Sequence, residues 1–564
     1  MQGYLRRRQF VQLVGASTVV ALGGLLQACQ SAPAPTPPVG TSAPAAVAGQ
    51  AAPAATSANS SLVVAVTSWA TETSIPWRST QGEKPLWEVM YDELVWRDPK
   101  TYQFVPGLAT SWDHSDDYRT WTFKLRQGVM FHGTWGEMTS ADIKYNLEQN
   151  LKPDATGGDG PYFKAQLDTI DTPDKYTVVV HFKNPLWDVL THVAQMTGYQ
   201  WITSKVYVES VGEDKANQEP IGTGPYRHVE GLQGQSHTFE AVPNHWRVKP
   251  AFQKLTIRRI LEPTTQLSAL RAGEIDIIQV GGDSIDLAKS TGFSFHESPG
   301  AINHWVILAG QTVPGKDDYQ PQLTPWAEDV NDPKSVDRAL QVRLAMNLAI
   351  NRPAIYDAIY RGYGKAQPFS YWYFPINKGF STEWALEPYD RDQAKKILVD
   401  QGYGSGFSIN INTLSAQVDA PDIVEAVAQD WEKIGITVNR AKEDPATFVV
   451  KARTRKSDVT GQLYAPPSPL DEPSLLWNRC IYTKGALYLL AEGPFDQQLE
   501  AISAELNQEK RTALTTALGT RLVNEHRGIR IGTKSGLWAV SKKVGNWPTL
   551  SSVQYETNLD MITP

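Results

Sequence analysis

The chain has 564 residues, of which 41% are hydrophobic and 20% are charged, and its formal net charge is −7. That length leaves room for about three domains. The acidic balance argues against nucleic-acid binding, which would require a basic surface. With only two cysteines the fold does not rely on disulfide bonds, whereas 18 tryptophans and 22 tyrosines suit large cores or a deep binding cleft.

Residues 1–28 are predicted to be an export signal. Arg6, Arg7 and Arg8 precede a mostly apolar stretch, 10–26, which is the order of charge and hydrophobicity in a bacterial signal peptide. The stretch has 17 residues and is interrupted by glycines, whereas a membrane-spanning helix needs about 20 predominantly apolar residues. A permanent anchor helix is therefore the weaker interpretation.

Cys29 ends the sequence Leu26-Gln27-Ala28-Cys29, which resembles a lipobox. In a lipobox the cysteine is diacylated and becomes the first residue of the mature chain, and two acyl chains anchor a protein stably. We therefore predict that Cys29 is lipidated and tethers the protein to the cell membrane, facing the periplasm or the outside. The alternative is a signal peptide that merely contains a cysteine. Arg7 and Arg8 also resemble a twin-arginine motif, and the sequence leaves that route and the general secretory route open.

Residues 29–61 are predicted to form a disordered tether. The stretch 30–61 contains no charged residue and consists almost entirely of Ala, Pro, Ser, Thr, Gly and Val. Such a segment cannot bury enough apolar surface to offset the entropy lost on ordering. Its 32 residues would reach roughly 30 Å as a flexible coil and about 100 Å as polyproline II. It would act as a spacer between membrane and globular body.

Three segments of the body are predicted to be strands. Residues 62–66 form a continuous apolar run, which is typical of a strand buried on both faces. Trp121, Phe123 and Leu125 alternate with polar residues, which indicates a half-buried strand, and 176–182 repeats this alternation.

Helices are predicted between these and further strands. Val424, Val427, Trp431 and Ile434 follow a 3-4-3 spacing that places them on one stripe of a helix. Gly435 is placed to end that helix, and a strand is expected at 436–438. Further helices are expected over about 342–350 and 495–506. The mixture predicts an α/β protein with several lobes.

Generic catalytic motifs do not occur in the sequence. Residues 310–316 imitate a phosphate-binding loop, but Asp317 replaces the required Ser or Thr. Residues 222–227 lack the third glycine of a dinucleotide-binding turn. Because no nucleophile and base stand out, we predict that the protein is not an enzyme and has no cofactor or metal. A secreted hydrolase is the alternative from another class.

Several longer blocks, spread over nearly the whole body, carry a resemblance to a known family. They lie at 91–95, 104–112, 120–129, 131–132, 139–143, 222–226, 244–246, 270–276 and 342–352, and the match ends near 495–496 and 522. Together and in this order they resemble the family 5 extracellular solute-binding proteins, the dipeptide-, oligopeptide- and nickel-binding components of ABC importers. For most individual blocks a role in folding is favoured over ligand contact.

The resemblance implies a large two-lobed periplasmic-binding-protein fold of type II, with an extra domain inserted in lobe I. The expected boundaries are as follows: lobe I, 62–107, 220–305 and 520–564; inserted domain, 108–219; lobe II, 306–519. A solute would be buried in the cleft between the lobes. The implied partners are an ABC permease, its ATPase subunits and a small solute, with a monomeric receptor.

The resemblance also places tentative ligand contacts. In peptide binders of this family an aspartate of lobe II often clamps the amino terminus of the ligand, but alignment on Asp471-Glu472-Pro473 puts Pro469 at that position. Proline has neither charge nor N–H, so Asp471 or Glu472 is expected to replace the clamp. Aromatic residues in stretches that line the cleft of relatives are Trp69, Tyr371, Trp372, Tyr373, Tyr464 and Trp477.

These aromatic side chains suit either of two ligands. They would stack on a sugar ring or on apolar peptide side chains, and ordinary core packing is an equal alternative for each of them. An oligopeptide is the expected ligand because most named members of the family are peptide receptors. An oligosaccharide receptor of the same family is the alternative.

Overall fold

The computed structural model describes residues 60–564 with gaps at 70, 80, 102, 158–159, 195–200, 309–323, 330, 366–372, 374–376, 415–418, 444–446, 448–450, 452–460, 465–471, 486–494 and 550–555. The expected export signal, Cys29 and nearly all of the expected tether lie outside the described residues. The described residues all belong to one compact unit. Within the described ranges, no helix has the length and hydrophobicity needed to cross a membrane.

The described strands occur both singly and in consecutive runs between the helices. In chain order the strands are β1 Ser61–Val66, β2 Val95–Arg97, β3 Phe104–Pro106, β4 Ala109–His114, β5 Thr120–Leu125, β6 Leu167–Asp174, β7 Thr177–Phe182, β8 Tyr226–Leu232, β9 Ser236–Ala241, β10 Lys254–Arg259, β11 Ile277–Gln279, β12 Ser294–Leu308, β13 Gly364–Lys365, β14 Ser408–Leu414, β15 Thr437–Glu443, β16 Gly461–Tyr464 and β17 Ile529–Val540.

The described α-helices are Lys84–Trp87, Ser140–Gln149, Gly160–Gln166, Val189–Val193, Lys205–Val211, Glu213–Gln218, Pro263–Arg271, Asp283–Ser290, Ser335–Leu348, Arg352–Ile355, Arg391–Asp400, Ala420–Glu432, Ser474–Cys480, Asp496–Ala504 and Gln508–Asn524. A π-helical turn at Tyr356–Tyr360 continues one of them, and short 3₁₀ turns lie at Pro76–Arg78, Gln81–Glu83 and Leu559–Met561. The mixed α/β class predicted from the sequence is confirmed.

One long sheet runs through both lobes. Its strand order is β15-β14-β16-β12-β17-β11-β1-β10-β9-β8. We call β1 and β8 to β11 the lobe I sheet and β14 to β16 the lobe II sheet, because β12 and β17 are long enough to belong to both. Near its start β12 pairs Ser294 with Val540, and near its end it pairs Val306 with Ile529. Between Ser298 and Ile302 the register shifts, and such a bulge allows a strand pair to bend.

The inserted domain has its own antiparallel sheet, ordered β4-β5-β7-β6. The predicted alternation is confirmed, since Trp121, Phe123 and Leu125 are buried on β5 and pack with the inner residues of β7. The helix Ser140–Gln149 covers this sheet and begins with a capping box between Thr139 and Asp142. This sheet lies within the expected bounds of 108–219, and those bounds stay a prediction.

Lobe II packs helices on both faces of its sheet. One face carries the helices Ser335–Leu348 and Ala420–Glu432, with Val424, Val427, Trp431 and Ile434 all in one buried cluster, as the 3-4-3 spacing predicts. The other face carries the helix Gln508–Asn524, whose Leu518 and Leu522 pack with Trp305 and Trp477. The expected boundary at 519/520 falls inside this last helix.

Gly222 and Gly224 hold a tight crossing of the chain in lobe I. A Cβ atom at Gly222 would lie 2.1 Å from the backbone oxygen of Met90, and one at Gly224 would lie 2.7 Å from the same atom. Only glycine permits so close a backbone approach. The folding role favoured for this block therefore has a direct structural cause.

Candidate ligand cleft between the two lobes

The carboxyl ends of strands from both lobes face each other. Strand β12 runs from the lobe I sheet into the lobe II sheet, and both β12 and β11 are antiparallel to β17, so β11, β1 and β10 also point toward lobe II. Strand β16 is antiparallel to β12 and parallel to β14, so both point toward lobe I. Ligands of open α/β sheets bind outside the carboxyl ends of the strands. The topology therefore places a candidate ligand cleft between these two edges.

The loops after β11 and β14 meet across this cleft. The backbone N–H of Gly282, which follows β11, donates a 3.1 Å hydrogen bond to Oδ1 of Asp419, which follows β14. Gly282 has φ +49°, a conformation that glycine adopts at little cost. This bond joins an edge of lobe I to an edge of lobe II.

Asp419 also forms an ion pair with Lys534 of β17. Both side chains are almost fully buried, with exposures of 4% and 2%. Asp419 precedes the helix Ala420–Glu432, whose N-terminal dipole further favours a carboxylate. One side chain thus links a lobe I loop, a shared strand and a lobe II helix.

His304 lies on β12 in the same buried region. Its Nδ1 is 2.8 Å from the hydroxyl oxygen of Tyr360. Burial lowers the pKa of His304 to about 3, although Asp419 acts in the opposite direction. The imidazole is therefore neutral at physiological pH, and Lys534 supplies the positive charge beside Asp419.

Arg361 makes a second set of contacts between the lobes. It follows the π-helical turn of lobe II and forms ion pairs with Asp283 and Asp286 of the helix Asp283–Ser290. The two carboxylates are 98% and 57% exposed. These exposures place the contact on the rim of the cleft. Exposed ion pairs contribute little to stability because water screens them.

Trp69 lies at the lobe I edge, in the loop that follows β1. It is buried, and its ring packs edge-on against His237 at a centroid distance of 5.6 Å. His237 in turn bonds Glu72 through Nε2 at 2.8 Å, and burial lowers the pKa of His237 despite this neighbour. The indole N–H of Trp69 has no hydrogen-bond acceptor among the described residues.

Two of the predicted aromatic residues of lobe II come together in its core. Tyr373 and Trp477 are fully buried, and their rings meet edge-on at 6.0 Å. The hydroxyl of Tyr373 lies 3.0 Å from Oγ1 of Thr516, and burial raises its pKa to about 12. These contacts match the core-packing alternative left open above. A role of either ring in ligand binding stays a prediction.

Glu472 lies beside this cluster and is paired with a cation. It accepts a 3.3 Å hydrogen bond from Nε of Arg511, and its side chain is 11% exposed. Tyr464 is on β16, opposite Trp305 of β12. Tyr371, Trp372 and Asp471 lie outside the described residues.

Sequence reasoning did not find Asp419, Lys534, Gly282 or Arg361. Among these residues Lys534 was the best available signal of a buried ion pair, because a lysine inside a strand with twelve buried residues requires a buried partner. That strand was not recognised from its sequence. Among the described residues, no cluster of three His, Cys, Asp or Glu side chains is arranged to hold a metal ion.

A family model for the middle part of bacterial extracellular solute-binding proteins, family 5, matches residues 103–481. This is more than half of the chain, so the protein belongs to the family 5 extracellular solute-binding proteins. It is a substrate-binding protein of an ABC importer with the two-lobed type II fold, as the sequence predicted.

Characterised relatives differ in the ligands that their names give. The chain is 23% identical to heme-binding protein A of Haemophilus influenzae, over 81% of this chain and 83% of that protein. It is 25% identical to the dipeptide-binding protein of Escherichia coli, over 64% and 68%. It is 24% identical to the nickel-binding periplasmic protein of Escherichia coli, over 82% and 86%. These relatives are named as binding proteins, not as enzymes.

Solved structures share the fold. The periplasmic binding protein DppA of Helicobacter pylori, in complex with the peptide STSA, superposes with a TM-score of 0.73 at 22% identity, covering 90% of this chain and 98% of that one. The oligopeptide-binding protein AppA of Bacillus subtilis, in complex with a nonapeptide, gives 0.70 at 17% identity, covering 90% and 99%.

Proposed function

We propose that this protein is a lipid-anchored receptor that captures an oligopeptide in the cleft between its lobes and delivers it to an ABC permease. The observation that carries the receptor role is the meeting of the two carboxyl edges, bonded through Gly282 and Asp419. A ligand that touches both edges favours the closed form by its differential affinity. The peptide assignment is supported by relatives named as dipeptide- and di/tripeptide-binding proteins.

A buried peptide requires a partner for its ammonium group, because an unpaired buried charge is costly. Two acids were expected to serve, and Glu472 is already paired with Arg511. Asp471 is therefore our proposed partner. This keeps the amino-terminus clamp close to its place in the family while replacing the residue that supplies it.

Calorimetry with tri- to pentapeptides tests this assignment. We expect Asp471→Asn to weaken binding by at least tenfold, since a hydrogen bond to a charged group contributes about 1.5–3 kcal/mol. Asp392→Asn is a matched control, because Asp392 is 95% exposed on lobe II, and it should bind as the wild type does. Equal affinities for wild type and Asp471→Asn would rule out this clamp.

An oligosaccharide is the second candidate, and it is favoured by the indole N–H of Trp69, which has no acceptor within the described part of the chain. A buried donor at the edge of the cleft suits a neutral ligand with hydroxyl acceptors. Trp69→Phe keeps an aromatic ring and removes this donor. If short glucans bind and this variant weakens them while Asp471→Asn does not, the ligand is a sugar and the peptide assignment is wrong.

The proposed location follows from Cys29. Acylation at that residue would hold the protein on the outer face of the membrane, and the uncharged segment 30–61 would let the body reach the permease. We propose a monomer, since one two-lobed body encloses one ligand.

A further inference from the structure

Trp187 joins the inserted domain to lobe II. It lies in the loop between β7 and the helix Val189–Val193, and its ring faces the guanidinium of Arg511 at 3.8 Å from the ring centroid. Its indole N–H also donates a long hydrogen bond of 3.4 Å to the backbone oxygen of Ser503. Arg511 and Ser503 belong to two successive helices of lobe II. The tryptophan therefore bridges parts of the chain that are more than 300 residues apart.

Arg511 is fixed from the lobe II side. Its side chain is 5% exposed, and Nε donates to Glu472. Its Nη1 donates to the backbone oxygens of Glu505 and Leu506, at 2.8 and 3.2 Å. These bonds hold the guanidinium plane in place, so it offers a prepared surface for an aromatic ring. Arginine stacks on aromatic faces through its planar group, which lysine does not have.

The surroundings of this contact are loosely packed. A cavity of about 490 Å³ lies between the loop residues Asn184 and Pro185 on one side and, on the other, lobe II residues that include the helical Asn478 and Ser503 and the loop residue Leu506. Beside the cavity, the inserted domain and lobe II touch through Trp187. Interfaces between domains of one chain are commonly polar and permit relative motion.

We propose that Trp187, Arg511 and Glu472 form an interdomain clasp that stabilises the closed form of the receptor. Closing brings the ring of Trp187 onto a guanidinium that lobe II has already oriented, and opening separates the two. Glu472 is adjacent in sequence to Asp471, the residue proposed above to pair with the ammonium group of the ligand. The proposal requires the two-lobed architecture and does not depend on the identity of the ligand.

Distance measurements in the ligand-free protein test the clasp. Val206 of the helix Lys205–Val211 and Val399 of the helix Arg391–Asp400 are 62% and 54% exposed, and one lies in the inserted domain region and the other in lobe II. Spin labels on Val206→Cys and Val399→Cys, in full-length protein carrying Cys29→Ser, would report their separation by pulsed electron paramagnetic resonance. Cys480 is buried and should not react.

We expect Trp187→Ala to shift the population roughly 5- to 30-fold toward longer distances, the range that corresponds to the loss of a partly desolvated cation–π contact. Trp187→Phe should retain most of the short-distance population of the wild type, and Arg511→Lys should retain less of it. Trp112→Ala is the control, because Trp112 is a partly buried tryptophan of the inserted domain that packs on that domain's own core. An unchanged distance distribution in Trp187→Ala, or an equal shift in Trp112→Ala, would overturn the proposal.

Because the assay contains no ligand, its result is independent of the peptide assignment. If peptides fail to bind but Trp187→Ala still shifts the distances, the ligand proposal is wrong and the clasp stands. If peptides bind and the distances do not change, the clasp is wrong and the ligand proposal stands.

Discussion

Lys534 and Asp419 form an ion pair at the junction of the two lobes, where their side chains are 2% and 4% exposed. Asp419 also accepts the N–H of Gly282 from the opposite edge of the cleft. A buried pair of this kind is weak support for stability by itself, because the loss of hydration offsets much of the attraction. The pair contributes instead to the specific arrangement of the lobes, because the charge of Lys534 in the shared strand β17 fixes the position of the lobe II helix that begins after Asp419.

Removing the charge of one partner of this pair should destabilise the protein. We expect Asp419→Asn to lower the free energy of unfolding by about 3–5 kcal/mol, since Lys534 would keep a buried charge without its partner. Denaturation in urea measures this change. The double variant Asp419→Leu with Lys534→Met should recover much of the loss, because it removes both charges.

A matched surface pair provides the control. Lys396 and Asp400 form an ion pair with exposures of 77% and 54%, and Lys396→Met should change stability by less than about 1 kcal/mol. An Asp419→Asn protein as stable as the wild type would show that the buried pair does not hold the lobes.

Two buried histidines predict that the protein loses stability in mild acid. Burial lowers the pKa of His132 to about 4 and that of His304 to about 3. Below a pH of about 6.5 these two histidines therefore bind protons in the unfolded chain but remain neutral in the native state. The contribution of these histidines to the free energy of unfolding is fully present above that pH. It decreases as the pH falls toward their pKa values in the folded state, by up to about 1.4 kcal/mol per pH unit for each histidine.

Urea denaturation between pH 7 and pH 5 checks this dependence. Replacing both residues by glutamine should make the decline over that range shallower, whatever the variants do to the stability at pH 7. Part of it should persist, because burial also lowers the pKa of His228, to about 4, and the pKa values of His237 and His296. A double variant whose stability falls with pH as steeply as that of the wild type would contradict these assignments.

Trp477 separates a packing role from a binding role. Because its side chain is fully buried against Tyr373 and the helices of lobe II, we expect Trp477→Ala to cost about 3–5 kcal/mol of stability. Trp477→Phe should cost clearly less. If Trp477→Ala keeps wild-type stability and loses only ligand affinity, the ring belongs to the ligand site and not to the core.

Membrane attachment depends on Cys29 in our account. Cell fractionation should find the wild type with membranes and Cys29→Ala released or incompletely processed, because two acyl chains provide stable anchoring. Cys480→Ala, at the buried second cysteine, is the control and should fractionate with membranes. Identical fractionation of wild type and Cys29→Ala would remove the tether from the account.

Elements with a strong hydrophobic period were predictable from the sequence. The strand at 62–66 corresponds to Ser61–Val66, and the stripe through Val424 and Trp431 lies on the helix Ala420–Glu432. Gly435 has φ +96° just beyond that helix, as expected of a residue that ends one. In these segments burial alone decides the structure, so composition and spacing are sufficient.

The shared strands and the cleft contacts were not predictable in this way. Strand β17 is buried along its whole length yet contains Arg530, Thr533, Lys534 and Ser535, because its polar groups are satisfied by distant segments such as Asp419 and Asn303. Pairing between residues more than a hundred positions apart leaves no local period. Tyr373 and Trp477 show the same limit, since aromatic composition does not distinguish a core from a ligand surface.

Mass spectrometry of the purified receptor tests the central claim most directly. Protein incubated with a mixed peptide library, desalted and then denatured should release a set of bound oligopeptides whose masses equal those supplied, and the unbound pool should remain uncleaved. A glucan mixture treated in the same way should yield no bound sugar. Cleaved peptides would contradict the receptor role, and a protein that retains sugars but no peptides would contradict the proposed ligand.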